Sequence, residues 1–247
     1  MHGAFEIKTG EHTILLDPFL TDNPQATVTA DSLAADTILI THGHFDHVSD
    51  AASIANRTGA VIIAPVETAS WFESTQDVKN TVGMNLGGGL EMPWGHLRMT
   101  IAHHSSSLPD GSYGGNPSGY VLTLPAGTVY FAGDTALFMD MQLIGRQGID
   151  LAVLPIGDHF TMGPADALEA VKMIQPQRVL PAHYDTWPPI IQDAQAWCEQ
   201  VNSDTETTAI LLQVGLVIYT NLRSMTSNNG IAHGMCQIMP QLWLLVM

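Results

Sequence analysis

Short apolar runs alternate along the chain with turn residues and with stretches of helical periodicity. Phe5–Lys8 and Thr13–Leu16 read as two strands joined by a hairpin turn at Thr9-Gly10-Glu11-His12, and Asp17-Pro18 ends the second. Thr37–Ile40 is a third strand. A helix follows from Asp50 to Thr58, with Ser49 as its expected cap and Gly59 as its stop. Val61–Ala64 reads as a buried strand, and Pro65 opens a helix through Trp71. Residues 78–102 read as a run of strands, in which Leu97, Met99 and Ile101 alternate with His96, Arg98 and Thr100, so one face is expected to be buried.

The second half repeats this rhythm. Residues 105–119, rich in Ser, Gly and Pro, are expected to form a mobile loop, either a substrate lid or a plain surface loop. Tyr120–Leu124 and Val129–Ala132 are strands, with a helix expected after Gly133-Asp134-Thr135 through Ile144. Leu151–Pro155 is a buried strand. Pro164–Ile174 is a helix with Leu168, Val171 and Ile174 on one face. Arg178–Leu180 is a strand, Asp193–Val201 a helix, and Ala209–Tyr219 supplies the last strands. Strands alternating with helices along the chain predict an α/β protein.

Polar residues recur where these strands end: Asp17, His42 to His47, His104, Asp134, Asp158 and His183. The densest group is Thr41-His42-Gly43-His44-Phe45-Asp46-His47, between an apolar strand and a helix, where α/β folds place ligand chemistry. Imidazole and carboxylate together suit Zn, Mn and Fe. In a tight strand-to-helix turn His42 and His44 can point one way, and Asp46 and His47 another. That arrangement suits two metal ions better than one. A solvated polar loop would account for a single histidine, but not for this spacing after a buried strand.

Composition narrows the function. With 24 acidic and 8 basic residues the formal net charge is −16, so nucleic acid and anionic membrane surfaces are disfavoured as partners. Cys198 and Cys236 are the only cysteines and form no CxxC or zinc-knuckle spacing, which excludes a zinc finger. No basic-then-apolar leader is visible, and Leu242–Met247 is too short an apolar run to span a bilayer. The expectation is a cytoplasmic protein without stable membrane insertion, acting on a small molecule, with a homo-oligomer left open.

Leu16-Asp17-Pro18, the His42–His47 motif, His104, Gly133-Asp134-Thr135 and Pro181-Ala182-His183, taken in order, resemble the metallo-β-lactamase superfamily. Ala132–Phe138, Leu154–Asp158, Phe160–Pro164 and His183–Pro189 narrow the resemblance to the UPF0173 metal-dependent hydrolases of its lactonase-like branch, over about residues 2–220. The resemblance implies an αββα sandwich with two divalent metal ions, Zn first and Mn or Fe as alternatives. It assigns His42, His44 and His104 to one ion, and Asp46, His47 and His183 to the other, with Asp134 bridging. His103 competes with His104 for its place. Asp46 and Asp134 carry the catalytic roles. Asp17 supports the metal loop, and Asp158 and His159 are candidates for neighbouring or substrate contacts. The implied reaction is attack by a bridging hydroxide on an ester, lactone, amide or phosphodiester. The alternatives are an iron-dependent redox protein on the same fold and a non-catalytic binding protein.

The resemblance also implies a further strand ahead of His2-Gly3-Ala4-Phe5, so an N-terminal edge strand is expected to be missing. Residues 1–220 are expected to form the hydrolase domain. Residues 221–247, with Met225, Met235, Cys236, Met239 and Met247 among apolar residues of no clear period, form an atypical tail.

Overall fold

The computed structural model describes residues 2–212, 214–215, 217–220 and 242–247. Two seven-stranded sheets pack face to face, with helices on their outer faces, giving the expected αββα sandwich.

The first sheet runs in the order β13-β14-β1-β2-β3-β4-β5, comprising Val217–Thr220, Leu242–Val246, Phe5–Thr9, His12–Leu16, Thr37–Leu39, Val61–Pro65 and Thr81–Met84. The second runs β12-β11-β10-β9-β8-β7-β6, comprising Thr208–Ala209, Arg178–Ala182, Leu151–Pro155, Gly127–Phe131, Ser118–Leu124, Gly95–Ile101 and Gly89–Met92. Helices α1 (Phe45–Val48), α2 (Ala51–Thr58) and α3 (Val66–Thr75) follow strands of the first sheet. Helices α4 (Met141–Gly145), α5 (Pro164–Ile174) and α6 (Ala194–Asp204) accompany the second.

The apolar runs are continuous because both faces of the strands are buried. Along β2 and β3, Ile14, Leu16 and Leu39 enter the core between the sheets, while Leu15 and Ile38 face the core shared with α2 and α3. The two hydrophobic cores follow from that alternation.

Several local expectations change. Ser49 does not cap α2: its hydroxyl donates back to the Phe45 carbonyl. Asp50 occupies the cap position, but its carboxylate accepts from the backbone of Leu20 and Thr21, tying the start of α2 to the loop after β2. Gly59 stops the helix at φ 80°. The helix expected over 136–144 shortens to α4, because Ala136 donates to the His103 carbonyl and holds the chain after Asp134 against the neighbouring loop. In β7 the alternation holds through Leu97 and Met99 but fails at its end, where Thr100 is buried and Ile101 is partly exposed. The 105–119 loop is anchored rather than loose: Gly43 N donates to Ser106 Oγ, Thr68 Oγ1 donates to the Gly114 carbonyl, and Leu108 is buried.

The N-terminal edge is not left open. β14 pairs antiparallel with β1 in the register Phe5↔Val246 to Thr9↔Leu242, and β13 pairs with its other side. The end of the tail therefore belongs to the first sheet, with Leu242, Leu244, Val246 and Met247 buried. Met225, Met235, Cys236 and Met239 lie outside the described residues. Among the described residues no helix is long and apolar enough to cross a membrane.

Candidate metal centre

The chemistry-bearing side chains meet at the edge of the sandwich where strands of both sheets end. Three of these ends turn through the left-handed region: Asp17 after β2 (φ 42°), Gly133 after β9 (φ 64°) and His183 after β11 (φ 53°). Gly133 requires its lack of a side chain twice over, since a Cβ there would sit 2.7 Å from the Ser118 carbonyl oxygen. Gly157, after β10, requires it for space, because a Cβ would lie 2.2 Å from the His183 carbonyl oxygen. These close approaches bring Asp134 and His183 to the same place.

Asp17 organises the turn after β3. It accepts from Thr41 N at 2.8 Å, from Thr41 Oγ1 at 2.7 Å and from His47 Nδ1 at 2.9 Å. The Thr41 hydroxyl, with its proton committed to Asp17, accepts from His42 Nδ1 at 3.0 Å. Both buried histidines thereby donate from Nδ1 and turn Nε2 toward the centre.

The predicted histidines and carboxylates gather into overlapping groups whose candidate ligand atoms lie within 4.8 Å of one another. His42, His44 and His104 form one, with ring centroids 4.6, 5.1 and 5.0 Å apart. Asp46, His47 and His183 form a second together with His2, and His42, His47 and Asp134 link the two. Asp134 Oδ2 stands 3.2 Å from His183 Nε2, 3.5 Å from His47 Nε2 and 3.6 Å from His104 Nε2. Asp46 Oδ2 is 3.5 Å from both His47 Nε2 and His183 Nε2.

His103 is absent from these groups; its ring is exposed and stacks on Phe138. Asp158 and His159 are also exposed and outside the groups. The turn closed by Asp158 N donating to the Met162 carbonyl points them outward, and the His159 ring packs on Phe160.

The donor set fits metal ions. His47 Nε2 and both ring nitrogens of His183 are buried without a hydrogen-bond partner, a costly state that an ion would relieve. Burial holds the His42, His44 and His104 rings below the usual histidine range, so they are neutral donors. Burial pushes Asp46 and Asp134 up, but the surrounding histidines outweigh it and hold both carboxyls below the usual range. Burial likewise pulls His47 down, yet Asp134, Asp46 and Asp17 together raise it. His47 is thereby the cation among three carboxylates, a place that a bound metal ion would take over.

One residue of the site had no signal in the sequence. His2 stands alone before β1, yet it is fully buried and 3.0 Å from Asp46 Oδ2. Its ring packs on His183, Trp187 and Phe19.

Comparison with known proteins agrees with this geometry. The model of the β-lactamase superfamily domain matches residues 12–184. A UPF0173 metal-dependent hydrolase of Thermus thermophilus is 47% identical over 199 residues, covering 81% of this chain and 88% of the relative. One from Thermococcus onnurineus is 46% identical over 220 residues, covering 88% and 96%. Among solved structures, a metallo hydrolase of the archaeon Ignicoccus hospitalis superposes with a TM-score of 0.76 at 34% identity, covering 86% of this chain and 92% of its own. A fold of two sheets closing on paired histidine groups, with relatives this similar over most of their length, places the chain in the UPF0173 metal-dependent hydrolase family of the β-lactamase superfamily.

Proposed function

We propose that the protein is a dinuclear metal-dependent hydrolase acting on a small uncharged ester or lactone with an apolar flank. The observation that carries the reading is Asp134, whose Oδ2 faces His104 of one histidine group and His47 and His183 of the other. His42, His44 and His104 would hold one ion, Asp46, His47 and His183 the second, and Asp134 both. Zn is the first expectation for this donor set, with Mn and Fe next. Two such ions supply an activated water and an electrophilic contact for the developing oxyanion.

The chain's own residues do the rest. Thr41 and Asp17 engage Nδ1 of His42 and His47, so an ion would meet Nε2 of each ring, and His42 Nε2 lies 3.0 Å from His44 Nδ1. Asp46, kept ionised by His47 and His183, would accept a hydrogen bond from the attacking water. Phe45, half exposed beside His44, leans on Phe19 and Trp187 at centroid distances of 5.8 Å each. Phe45 and the partly buried Trp187 put apolar surface in solvent beside the histidine groups, with Phe19 buried behind them. No Lys or Arg occurs in residues 41–50, 102–107, 132–139 or 181–188, so the flanking loops offer nothing to neutralise an anionic substrate. Carboxylic esters, lactones and amides are favoured over phosphodiesters on that ground.

The test is a panel of neutral aryl and alkyl esters, lactones, amides and a phosphodiester, run with metal-loaded protein. Turnover of the neutral acyl substrates, lost in Phe45→Asp through a raised KM, is expected. Turnover of the phosphodiester alone would overturn the substrate class.

A further inference from the structure

His2 holds a place that the metal-ligand assignment does not use. It is fully buried, and both ring nitrogens are engaged: Nε2 lies 3.0 Å from Asp46 Oδ2, and Nδ1 lies 3.1 Å from Thr186 Oγ1. His47 Nε2 and His183 Nε2, by contrast, are buried without hydrogen-bond partners. A ring with two satisfied nitrogens is built to orient a neighbour, whereas a ring nitrogen buried without a partner is placed to receive a ligand.

The donor assignment follows from Asp46. An ionised carboxylate only accepts, so His2 Nε2 carries the proton and donates to Oδ2. In the neutral ring Nδ1 then accepts, and the Thr186 hydroxyl donates to it at 3.1 Å in preference to the Tyr184 carbonyl, its more distant acceptor at 3.4 Å. Oδ2 is also the oxygen that faces His47 and His183. The ring itself cannot swing away. Phe19 and Trp187 pack edge-on at 5.0 and 4.9 Å, and His183 lies at 4.3 Å. The backbone beneath it is held as well, because Met247 N donates to the Ala4 carbonyl at 3.1 Å beside the β1–β14 pairing.

We infer that His2 is a positioning residue for the second metal site, fixing through the Thr186–His2–Asp46 chain the orientation of the Asp46 carboxylate. The inference rests on the dinuclear reading above. It separates the two ions, since a ring nitrogen of His2 lies within 4.8 Å of the ligand atoms of Asp46, His47 and His183, while His2 is no part of the His42, His44 and His104 group. Its two engaged nitrogens, and not distance, set it apart from the ligands. Removing it should weaken one binding step and leave the other.

The experiment is a titration of chelator-stripped full-length protein with Zn²⁺ against a competing chelator. It compares wild type with His2→Ala, His2→Gln, Thr186→Val, Asp46→Ala and the His2→Ala/Asp46→Ala pair, with circular dichroism as a check of folding. Wild type is expected to take two equivalents. His2→Ala should still take two, one with affinity lower by about 10–100-fold and the other unchanged. Gln, which can donate to Asp46 from its amide, should recover part of the loss, and Thr186→Val should lose part. In the Asp46→Ala background the His2 substitution should add no further loss. Unchanged affinity at both steps in His2→Ala would overturn the inference, as would equal weakening of both. A second equivalent lost outright and not recovered by Gln would make His2 a ligand and overturn it too. Wild type that takes no second equivalent would overturn the dinuclear reading itself, an outcome visible before any variant is compared.

Discussion

Asp17 Oδ2 accepts from His47 Nδ1 at 2.9 Å across 30 residues of chain, joining the end of one strand to the helix that follows the next. The same carboxylate takes the backbone N–H and the hydroxyl of Thr41. Burial holds the Asp17 carboxyl above the usual carboxylate range, and His47 and Thr41 pull it only part of the way back. Asp17→Ala therefore strands three buried donors. The expected cost to the metal-free protein is about 3–5 kcal/mol, the range for removing one partner of a buried pair. Metal affinity should fall as well, since His47 loses the contact that fixes its tautomer. Urea unfolding with and without metal measures both effects; an unchanged midpoint would contradict this role.

Gly157→Ala tests whether close backbone approach sets the site. Its Cβ would meet the His183 carbonyl oxygen at 2.2 Å, a contact that only backbone movement can relieve. Overpacking of this kind costs about 1–3 kcal/mol. The shift should also displace His183 and weaken metal binding, although residue 157 itself bears no ligand. Melting temperature and metal affinity should fall together; a fall in stability alone would uncouple the turn from the site.

Stripped of metal, the protein should lose stability as pH falls from about 6.5 toward 4. Burial lowers His2 to about 4 and holds His42, His44 and His104 below the usual value. In that window these four histidines bind protons in the unfolded chain that they refuse in the folded one, so acid favours unfolding; Asp17, raised by burial, opposes them as a single group. His47 works in the opposite sense, because its raised value gives stability that is complete below about 6.5 and is lost only as pH climbs. Asp46 and Asp134, held low, contribute stability that is present above about 4 and fails only in stronger acid. Thermal melts of chelated protein at pH 7, 6 and 5 check the sign. A melting temperature that rose on acidification would contradict it.

Deleting residues 242–247 removes β14 and exposes the hydrogen-bonding edge of β1. Leu242, Leu244, Val246 and Met247 are buried, and each is worth about 1.5–3 kcal/mol. A large drop in melting temperature and concentration-dependent aggregation are expected, as an open strand edge invites pairing with other chains. A truncated protein that melts like wild type and stays monomeric would show that the strand is dispensable.

What could be read from the chain alone was local. The run from His42 to His47 carries its meaning in its spacing, and Pro164 marks the start of α5 at the residue where it begins. The strands were legible because both of their faces are buried, which leaves uninterrupted apolar runs. What escaped was decided by contacts distant in sequence. His2 meets Asp46 across 44 positions and Thr186 across 184, and neither neighbour marks it locally. The place of Leu242–Val246 depends on pairing with β1 and β13, which an apolar run of no clear period does not announce. The helix expected after Asp134 shortened because His103, on another loop, accepts the Ala136 N–H.

The central claim is that Asp134 joins two histidine groups into one dinuclear site. Elemental analysis of purified, dialysed wild type beside Asp134→Ala tests it most directly. Wild type should carry about two divalent ions per chain and the variant clearly fewer, with the fold retained. No metal in folded wild-type protein, or the same content in both proteins, would contradict it.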